Sequence, residues 1–168
     1  MDRINGLGGS NVSISKPKMR PIHLKDSEKT GVRTQFGALC YRVRDEKPQI
    51  LLVTSRGTGR WILPKGWPID GASPSEAAMQ EAWEEAGVEG KVMSNSLGIY
   101  SYVKEDDGER MPCVVAVFPV KVQKLKKKFP EVEQRSRKWF SLKKAASLVE
   151  EPELSQIMRG FDPGLFAR

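Results

Sequence analysis

Short apolar stretches alternate with polar turns along the chain, and this pattern predicts a fold that combines strands with a few helices. The strand-like stretches are rich in β-branched and aromatic residues and occupy residues 35–44, 49–55, 91–103, 111–122 and 136–140. Polar turns separate them, for example at 45–48 and 104–110. Two helices are predicted near the C-terminus, at 141–149 with Ser141 as its cap and at 153–159. The pattern favours the α/β class.

A further helix is predicted in the middle of the chain, at residues 73–85, and its ends are encoded locally. Ser73 can cap the N-terminus, Pro74 suits the first helical position, and Glu76 stands three residues after the cap and completes a capping box. Gly87 can adopt the left-handed conformation that ends a helix. This segment is the best-defined element in the sequence.

Three carboxylates meet on one side of this helix. Glu81 and Glu85 are four residues apart and Glu84 lies between them, so all three project within one turn. Such a cluster can be a solvated face, because like charges at this spacing cost only a few tenths of a kcal/mol, roughly. An apolar strand and a Gly-rich loop precede the helix, however. Because Gly66 has no side chain, its backbone carbonyl can approach a cation held by the carboxylates. Hard oxygen ligands favour Mg²⁺, and Mg²⁺ in turn suggests a phosphate substrate.

The same residues resemble the signature of the Nudix hydrolases. Seven positions fall on that signature in register: Gly66, Glu81, Ala82, Glu84, Glu85, Gly87 and Val88. The resemblance implies a single-domain Nudix α/β/α sandwich with a mixed sheet. It also implies that Glu81, Glu85 and the Gly66 carbonyl bind Mg²⁺, with Mn²⁺ as a substitute, and that Glu84 accepts the proton of the attacking water.

Two positions depart from the signature, since Ala72 stands where the family has its first Glu and Gln80 where it has an Arg. The resemblance implies that this Arg holds the carboxylates through charge-assisted hydrogen bonds, with the early Glu as its partner. Our hypothesis is that Gln80 keeps a neutral version of this support, with Asp70 or Glu76 as a compensating carboxylate. The departures leave the number of metal ions open.

Stretches on both sides of the helix resemble the diphosphoinositol polyphosphate phosphohydrolase branch of the family. In that branch matching serine and arginine positions hold substrate phosphates, a task that suits the guanidinium fork. The expected substrate-binding residues are Arg33, Ser55, Arg56, Arg60, Lys65, Trp67, Arg110, Arg135 and Arg137. For Arg60 and Arg137 the alternative is a surface ion pair. The branch also splits dinucleoside polyphosphates, so both substrate types stay open.

Two other functions are compatible with these residues. One is a Nudix-fold module that binds a nucleotide or phosphorylated partner without hydrolysis, which Ala72 and Gln80 favour and the intact carboxylates oppose. The other involves nucleic acid. The protein would then be either an RNA 5′-pyrophosphohydrolase or an interaction protein that binds nucleic acid through its basic arm. The lysine run 124–128 could follow phosphates, but no aromatic residue is interleaved with it, so small anionic polyphosphates rank above RNA.

The resemblance implies a Nudix domain at 33–160, and composition predicts a basic, flexible N-terminal arm at 1–32, with a short tail at 161–168. The chain has 168 residues and a net charge of +7, and residues 1–34 carry seven basic and three acidic side chains. One domain fits this length. A positive balance suits an anionic partner but does not define it. The oligomeric state is not predicted.

The residue inventory narrows the chemistry further. His23 is the only histidine, which argues against a Ser-His-Asp triad and a His-rich zinc site. Cys40 and Cys113 lie in apolar stretches and are expected to be buried, reduced thiols. The sequence contains no signal-peptide pattern and no apolar run of membrane-spanning length, so a cytoplasmic protein without a membrane partner is expected.

Overall fold

A computed structural model of the protein describes residues 31–166, so His23 and nearly all of the predicted N-terminal arm lie outside the described part. Eight strands and three α-helices are present within it. The strands are β1 (Arg33–Arg44), β2 (Lys47–Thr54), β3 (Trp61–Ile62), β4 (Lys65–Gly66), β5 (Val88–Val92), β6 (Gly98–Asp106), β7 (Glu109–Leu125) and β8 (Arg137–Ser141). The helices are α1 (Pro74–Ala86), α2 (Leu142–Leu148) and α3 (Pro152–Arg159), and a 3₁₀ turn follows at Pro163–Phe166.

All eight strands belong to one mixed sheet, as predicted. Its main path runs β3-β2-β1-β7-β5, while β4 pairs with β1, β6 with β7 and β8 with β2. Strands β1 and β7 are parallel, from Arg33 opposite Cys113 to Tyr41 opposite Lys121, and the other pairs are antiparallel. The parallel pair lies at the centre of the sheet, which suits the apolar character of β1.

Helices cover both faces of the sheet, which confirms the three-layer α/β arrangement. Alternate residues of β1 face opposite layers. Leu39 belongs to the core under α2 and α3, together with Leu154. Cys40 belongs to the core under α1, together with Ala82. Both cysteines are buried and unpaired, as expected, and burial raises the pKa of the Cys40 thiol well above its ordinary range.

The ends of α1 follow the sequence signals. The Ser73 hydroxyl accepts a hydrogen bond from the Glu76 N–H at 3.3 Å, and the Glu76 carboxylate accepts one from the Ser73 N–H at 3.2 Å. Gly87 closes the helix at a φ of 66°, and Pro74 opens it. Capping of α2 by Ser141 is likewise confirmed, since its hydroxyl accepts from the Lys144 N–H at 3.1 Å.

Other boundaries differ from the predictions. The single stretch predicted at 91–103 was wrong, because β5 ends at Val92 and β6 begins at Gly98, whose φ is 150°. The two-residue strands β3 and β4 were not predicted. Phe161 is buried and packs edge-on against Tyr41, so packed structure continues past residue 160, where the sequence suggested a tail. No helix within residues 31–166 is long and apolar enough to cross a membrane.

Candidate active site

Strand β4 brings the backbone of Gly66 against the carboxyl group of Glu81. Gly66 pairs with Phe36 of β1, which fixes the strand in front of α1. A Cβ atom at residue 66 would lie 2.2 Å from the Glu81 carboxyl group, far inside any permitted contact. A larger residue here would therefore displace the Glu81 carboxyl group, and the backbone and carboxylate that were predicted to share a metal are neighbours.

Burial governs the protonation of two of the three clustered carboxylates. Desolvation raises the pKa of Glu81 to about 7, and the negative charge of Glu84 adds to the rise. Desolvation also raises the pKa of Glu85 to about 8, although Arg135 and Lys65 oppose the shift. Burying two acidic side chains this closely costs free energy unless a cation joins them.

Both oxygens of Glu85 have partners within the protein. Its Oε2 accepts a hydrogen bond of 3.3 Å from the backbone N–H of Lys65. Its Oε1 forms an ion pair with Nη2 of Arg135 at 3.3 Å. The side chain is 7% exposed, so its orientation is fixed before any ligand binds.

Glu84 has a different environment. It is partly exposed at the cavity wall, and its Oε1 accepts a hydrogen bond of 2.9 Å from Nε2 of Gln80, one turn earlier in α1. Gln80 thus supplies the neutral hydrogen bond that the sequence suggested, directed to Glu84. Glu76 is engaged in the capping box.

The donor set fits a hard divalent cation. Among residues 31–166, no group of three or more His, Cys, Asp or Glu side chains is arranged to hold a metal ion, so a site built on Glu81 and Glu85 would need a further ligand such as the Gly66 carbonyl. Glu84 and Glu85 stand in the last turn of α1, which has no basic residue. Carboxylates at this negative end of the helix dipole are unfavourable without a positive partner.

The carboxylates open into a cavity of about 960 Å³ that mixes acidic, basic and aromatic side chains. Five of the predicted substrate-binding residues line it: Ser55, Arg56, Lys65, Trp67 and Arg135. Arg33 is adjacent, with Cζ 5.8 Å from the centre of the Trp67 ring. The predicted residues in and beside this cavity come from five separate parts of the chain, namely residue 33, 55–56, 65–67, the end of α1 and residue 135.

Besides Arg33, three predicted residues are not among those that line the cavity. Arg60 pairs with the buried carboxylate of Glu151 at 2.9 Å. Arg137 donates to the carbonyl of Ala86 at 2.6 Å. Arg110 lies at the exposed start of β7 and pairs with Glu105 of β6 at 3.5 Å. The ion-pair alternative considered for Arg60 matches its contacts, and the roles of all three in substrate binding stay predictions.

Four further polar residues of the cavity were not anticipated: Gln35, Tyr102, Lys104 and Glu131. Tyr102 donates a hydrogen bond to the Gln35 amide oxygen, and its ring lies 5.0 Å from Nζ of Lys65. Burial lowers the pKa of Lys65, and Glu85 opposes that shift. The one available sequence signal was the i, i+4 spacing between Glu131 and Arg135.

Known proteins of one family resemble this chain over most of its length. The NUDIX domain family matches residues 33–162. The chain is 33% identical over 141 residues to "Nudix hydrolase 21, chloroplastic" of Arabidopsis thaliana, covering 78% of this chain and 67% of the relative. It is 29% identical over 135 residues to "Diphosphoinositol polyphosphate phosphohydrolase 3-alpha" of Mus musculus, covering 79% of each.

Solved structures share the fold at lower identity. A C. elegans Ap4A hydrolase superposes with a TM-score of 0.59 at 20% identity, covering 80% of this chain and 99% of that one. The NUDIX domain of Shewanella oneidensis NrtR, complexed with ADP ribose, superposes with a TM-score of 0.57 at 17% identity, covering 81% and 92%. At these identities the likeness establishes the fold alone.

Proposed function

Since the chain belongs to the Nudix hydrolase family and is a pyrophosphohydrolase, we propose that it uses Mg²⁺ to cleave a phosphoanhydride bond in a small, highly phosphorylated substrate. The substrate is of the diphosphoinositol polyphosphate or dinucleoside polyphosphate type. The observation that supports the proposal most strongly is the close approach of Gly66 to Glu81 beside the buried Glu85. These residues lie at the wall of a cavity that basic side chains also line.

The metal ligands in this proposal are Glu81, Glu85 and the carbonyl oxygen of Gly66. Mn²⁺ can replace Mg²⁺ because both accept oxygen ligands in the same geometry. When bound, the ion neutralises phosphoryl oxygens and lowers the pKa of coordinated water. The raised pKa values of Glu81 and Glu85 support this assignment, since a divalent cation would compensate the charges that burial disfavours.

Glu84 is the proposed general base. It faces the cavity next to the two proposed ligands, and a carboxylate there can take the proton of an attacking water. The hydrogen bond from Gln80 restricts its rotation, so the proton acceptor is held in place without losing charge. The distinction between ligands and base follows the family resemblance, since only Glu85 is buried and both Glu81 and Glu84 are partly exposed.

Substrate phosphates are proposed to contact the basic side of the same cavity. Lys65 and Arg56 line it, and Lys104 stands at the rim with Nζ 5.0 Å from the Trp67 ring centre. Arg33 approaches the same ring. Cations packed around this aromatic residue suit a substrate with several phosphates, and Trp67 itself offers a flat surface for a base or an inositol ring.

RNA is a less favoured substrate. Within the described residues, the lysines at 124–128 lie at and just after the end of β7 and are not among the residues that line the cavity. A short polyphosphate needs only the groups already gathered there. The non-catalytic alternative rests on Ala72 and Gln80, whereas family membership and the intact Glu81, Glu84 and Glu85 support hydrolysis. The cytoplasmic location is retained as part of the proposal.

A substrate panel tests the proposal. Product release is measured with inositol pyrophosphates, dinucleoside polyphosphates, ADP-ribose, nucleoside triphosphates and triphosphorylated RNA, each with Mg²⁺, with Mn²⁺ and with a chelator. We expect metal-dependent turnover that is highest for one of the first two classes. Preference for triphosphorylated RNA contradicts the substrate assignment, and ligand binding without turnover on any compound contradicts the catalytic one.

A further inference from the structure

The two positions at which this chain departs from the Nudix signature lie in the wall of the active-site cavity. Ala72 has no carboxylate and Gln80 has no charge, yet both line the cavity beside Glu81 and Glu85. The cationic support that the signature provides is therefore missing from α1 and the loop before it. Buried metal carboxylates nevertheless need such support to keep their orientation.

Glu131 and Arg135 line the same cavity, although they are far from α1 in the sequence. Arg135 is 7% exposed, and its Nη2 lies 3.3 Å from Oε1 of Glu85 and 3.4 Å from Oε1 of Glu131. Its Nη1 donates to the carbonyl of Thr54 at 3.0 Å. A guanidinium with three partners has a fixed place, which is what a positioning group requires.

We propose that the Glu131–Arg135 pair replaces the missing signature pair and is the positioning element for the metal ligand Glu85. The inference rests on the proposed function, because it assumes that Glu85 binds a divalent cation. Arg135 holds one carboxylate oxygen, and the Lys65 N–H holds the other at 3.3 Å. Each oxygen keeps a further lone pair, so the carboxylate is oriented but can still bind a cation.

The backbone carries this pair to the right place. The Glu131 N–H donates to the carbonyl of Glu84 at 3.0 Å, and the Lys126 N–H donates to the carbonyl of Gly87 at 2.9 Å. Arg137 adds its bond to the Ala86 carbonyl. The segment 126–137 therefore satisfies carbonyls at the C-terminal end of α1 that have no partner within the helix. Docking there places Glu131 and Arg135 next to the carboxylates of the last turn.

The contacts of Arg135 are confined to the two terminal nitrogens of its guanidinium. Its Nε is buried without a hydrogen-bond partner, the one such side-chain atom in the part of the chain that the structure describes. An unpaired buried donor is unfavourable, so the surroundings hold the guanidinium where its two terminal nitrogens reach Glu85, Glu131 and Thr54. Arg56 strengthens the arrangement by pairing with Glu131 at 3.4 Å.

The test measures Mn²⁺ binding by calorimetric titration in the absence of substrate. We expect Arg135→Gln to weaken Mn²⁺ binding by about 10- to 100-fold, the usual effect of removing a group that orients a ligand. Arg135→Lys keeps the charge but loses the planar fork of the guanidinium. Its affinity for Mn²⁺ should therefore lie between those of the wild type and Arg135→Gln. Arg159→Gln removes an exposed guanidinium on α3 and should bind Mn²⁺ like the wild type.

A rescue experiment separates positioning from general stability. Introducing Ala72→Glu and Gln80→Arg into Arg135→Gln restores the signature pair without restoring the hydrogen bond to Thr54. We expect it to recover most of the lost Mn²⁺ affinity, to within about threefold of the wild type, while leaving any loss of melting temperature in place. A purely structural role of Arg135 predicts no such recovery.

The outcomes distinguish this inference from the proposed function. Binding that is lost in Glu85→Gln but unchanged or tighter in Arg135→Gln overturns the inference alone, and so does a failure of the restored pair to rescue. If Glu85→Gln binds Mn²⁺ as tightly as the wild type does, the proposed metal site and this inference are overturned together. Weaker binding in Arg135→Gln with rescue by the signature pair supports it.

Discussion

Gln80 donates a hydrogen bond of 2.9 Å to Glu84, the residue one helical turn later that is the proposed general base. A glutamine at this position supplies one directed donor and no charge. The base is thereby oriented, while the charge that stabilises the neighbouring Glu85 comes from Arg135. In this proposal Gln80 orients the base and Arg135 supplies the positive charge, although a single arginine could do both.

Removing the amide tests the first of these functions. We expect Gln80→Ala to lower kcat by about tenfold with little change in KM, because orientation of the base matters most in the transition state. Steady-state kinetics gives both parameters. Gln156→Ala on the exposed face of α3 is the matched control and should leave them unchanged. Unaltered kcat in Gln80→Ala would show that Glu84 needs no such support.

The contact between Gly66 and Glu81 predicts a severe effect of a single methyl group. In Gly66→Ala the new Cβ would lie 2.2 Å from the Glu81 carboxyl group, so that carboxylate must move away from the backbone carbonyl. We expect metal-dependent turnover to fall by at least about 100-fold, since the misplaced group is a proposed ligand. Turnover and Mn²⁺ titration measure the loss.

Gly160→Ala provides the control for that substitution. Its Cβ would make an ordinary contact of 3.5 Å with the Gln156 carbonyl, and its φ of −89° suits any residue. It should therefore retain wild-type turnover. Equal tolerance of alanine at residues 66 and 160 would contradict the close approach of Gly66 to Glu81.

The raised pKa values predict how the stability of the metal-free protein depends on pH. The pKa of Glu81 is raised to about 7 and that of Glu85 to about 8, both above the unfolded value near 4.5, so the folded state binds protons more tightly. Their contribution to stability is complete below about pH 4.5 and is lost as the pH rises through about 7 to 8. Urea denaturation in the presence of a chelator should show the free energy of unfolding falling over this range.

Two additions make that measurement specific. Glu85→Gln removes one titrating group and should flatten the decline. Saturating Mg²⁺ binds the ionised carboxylates of the folded state, so it should restore stability above about pH 7 by mass action. A decline that is the same with and without Mg²⁺ would mean that these carboxylates do not bind the ion.

The sequence predicted α1 and the clustering of its carboxylates because these signals are local. Ser73, Glu76 and Gly87 specify the helix ends through contacts within a few residues, and the carboxylates follow from helical spacing. The break between β5 and β6 was missed, since it depends on the unusual backbone of Gly98 and on which part of β7 each strand meets. Strands β3 and β4 have two residues each and exist only through their distant partners.

Long-range contacts also explain which features around the site the sequence did not reveal. Arg60 reaches Glu151, 91 positions away, and no local pattern announces that pairing. Glu131 enters the cavity because its segment docks on the end of α1. Lys65 and Trp67 were found because they adjoin the signature itself.

The ion pair between Arg60 and Glu151 predicts a structural effect of Arg60. Glu151 is only 9% exposed, so removing its partner leaves a buried charge. We expect Arg60→Ala to lower the free energy of unfolding by about 1–3 kcal/mol and to change KM by less than about threefold. Denaturation and kinetics on the same sample separate the effects. A large rise in KM at unchanged stability would instead assign Arg60 to substrate binding.

The most direct test of the account compares Glu84→Gln with the wild type in Mg²⁺-dependent hydrolysis and in substrate binding. We predict that kcat falls by about 10²- to 10⁴-fold, because the amide cannot accept the proton, while Mn²⁺ affinity and substrate Kd stay within about threefold. Turnover that survives the substitution would exclude Glu84 as the base, and loss of Mn²⁺ binding would make Glu84 a ligand instead.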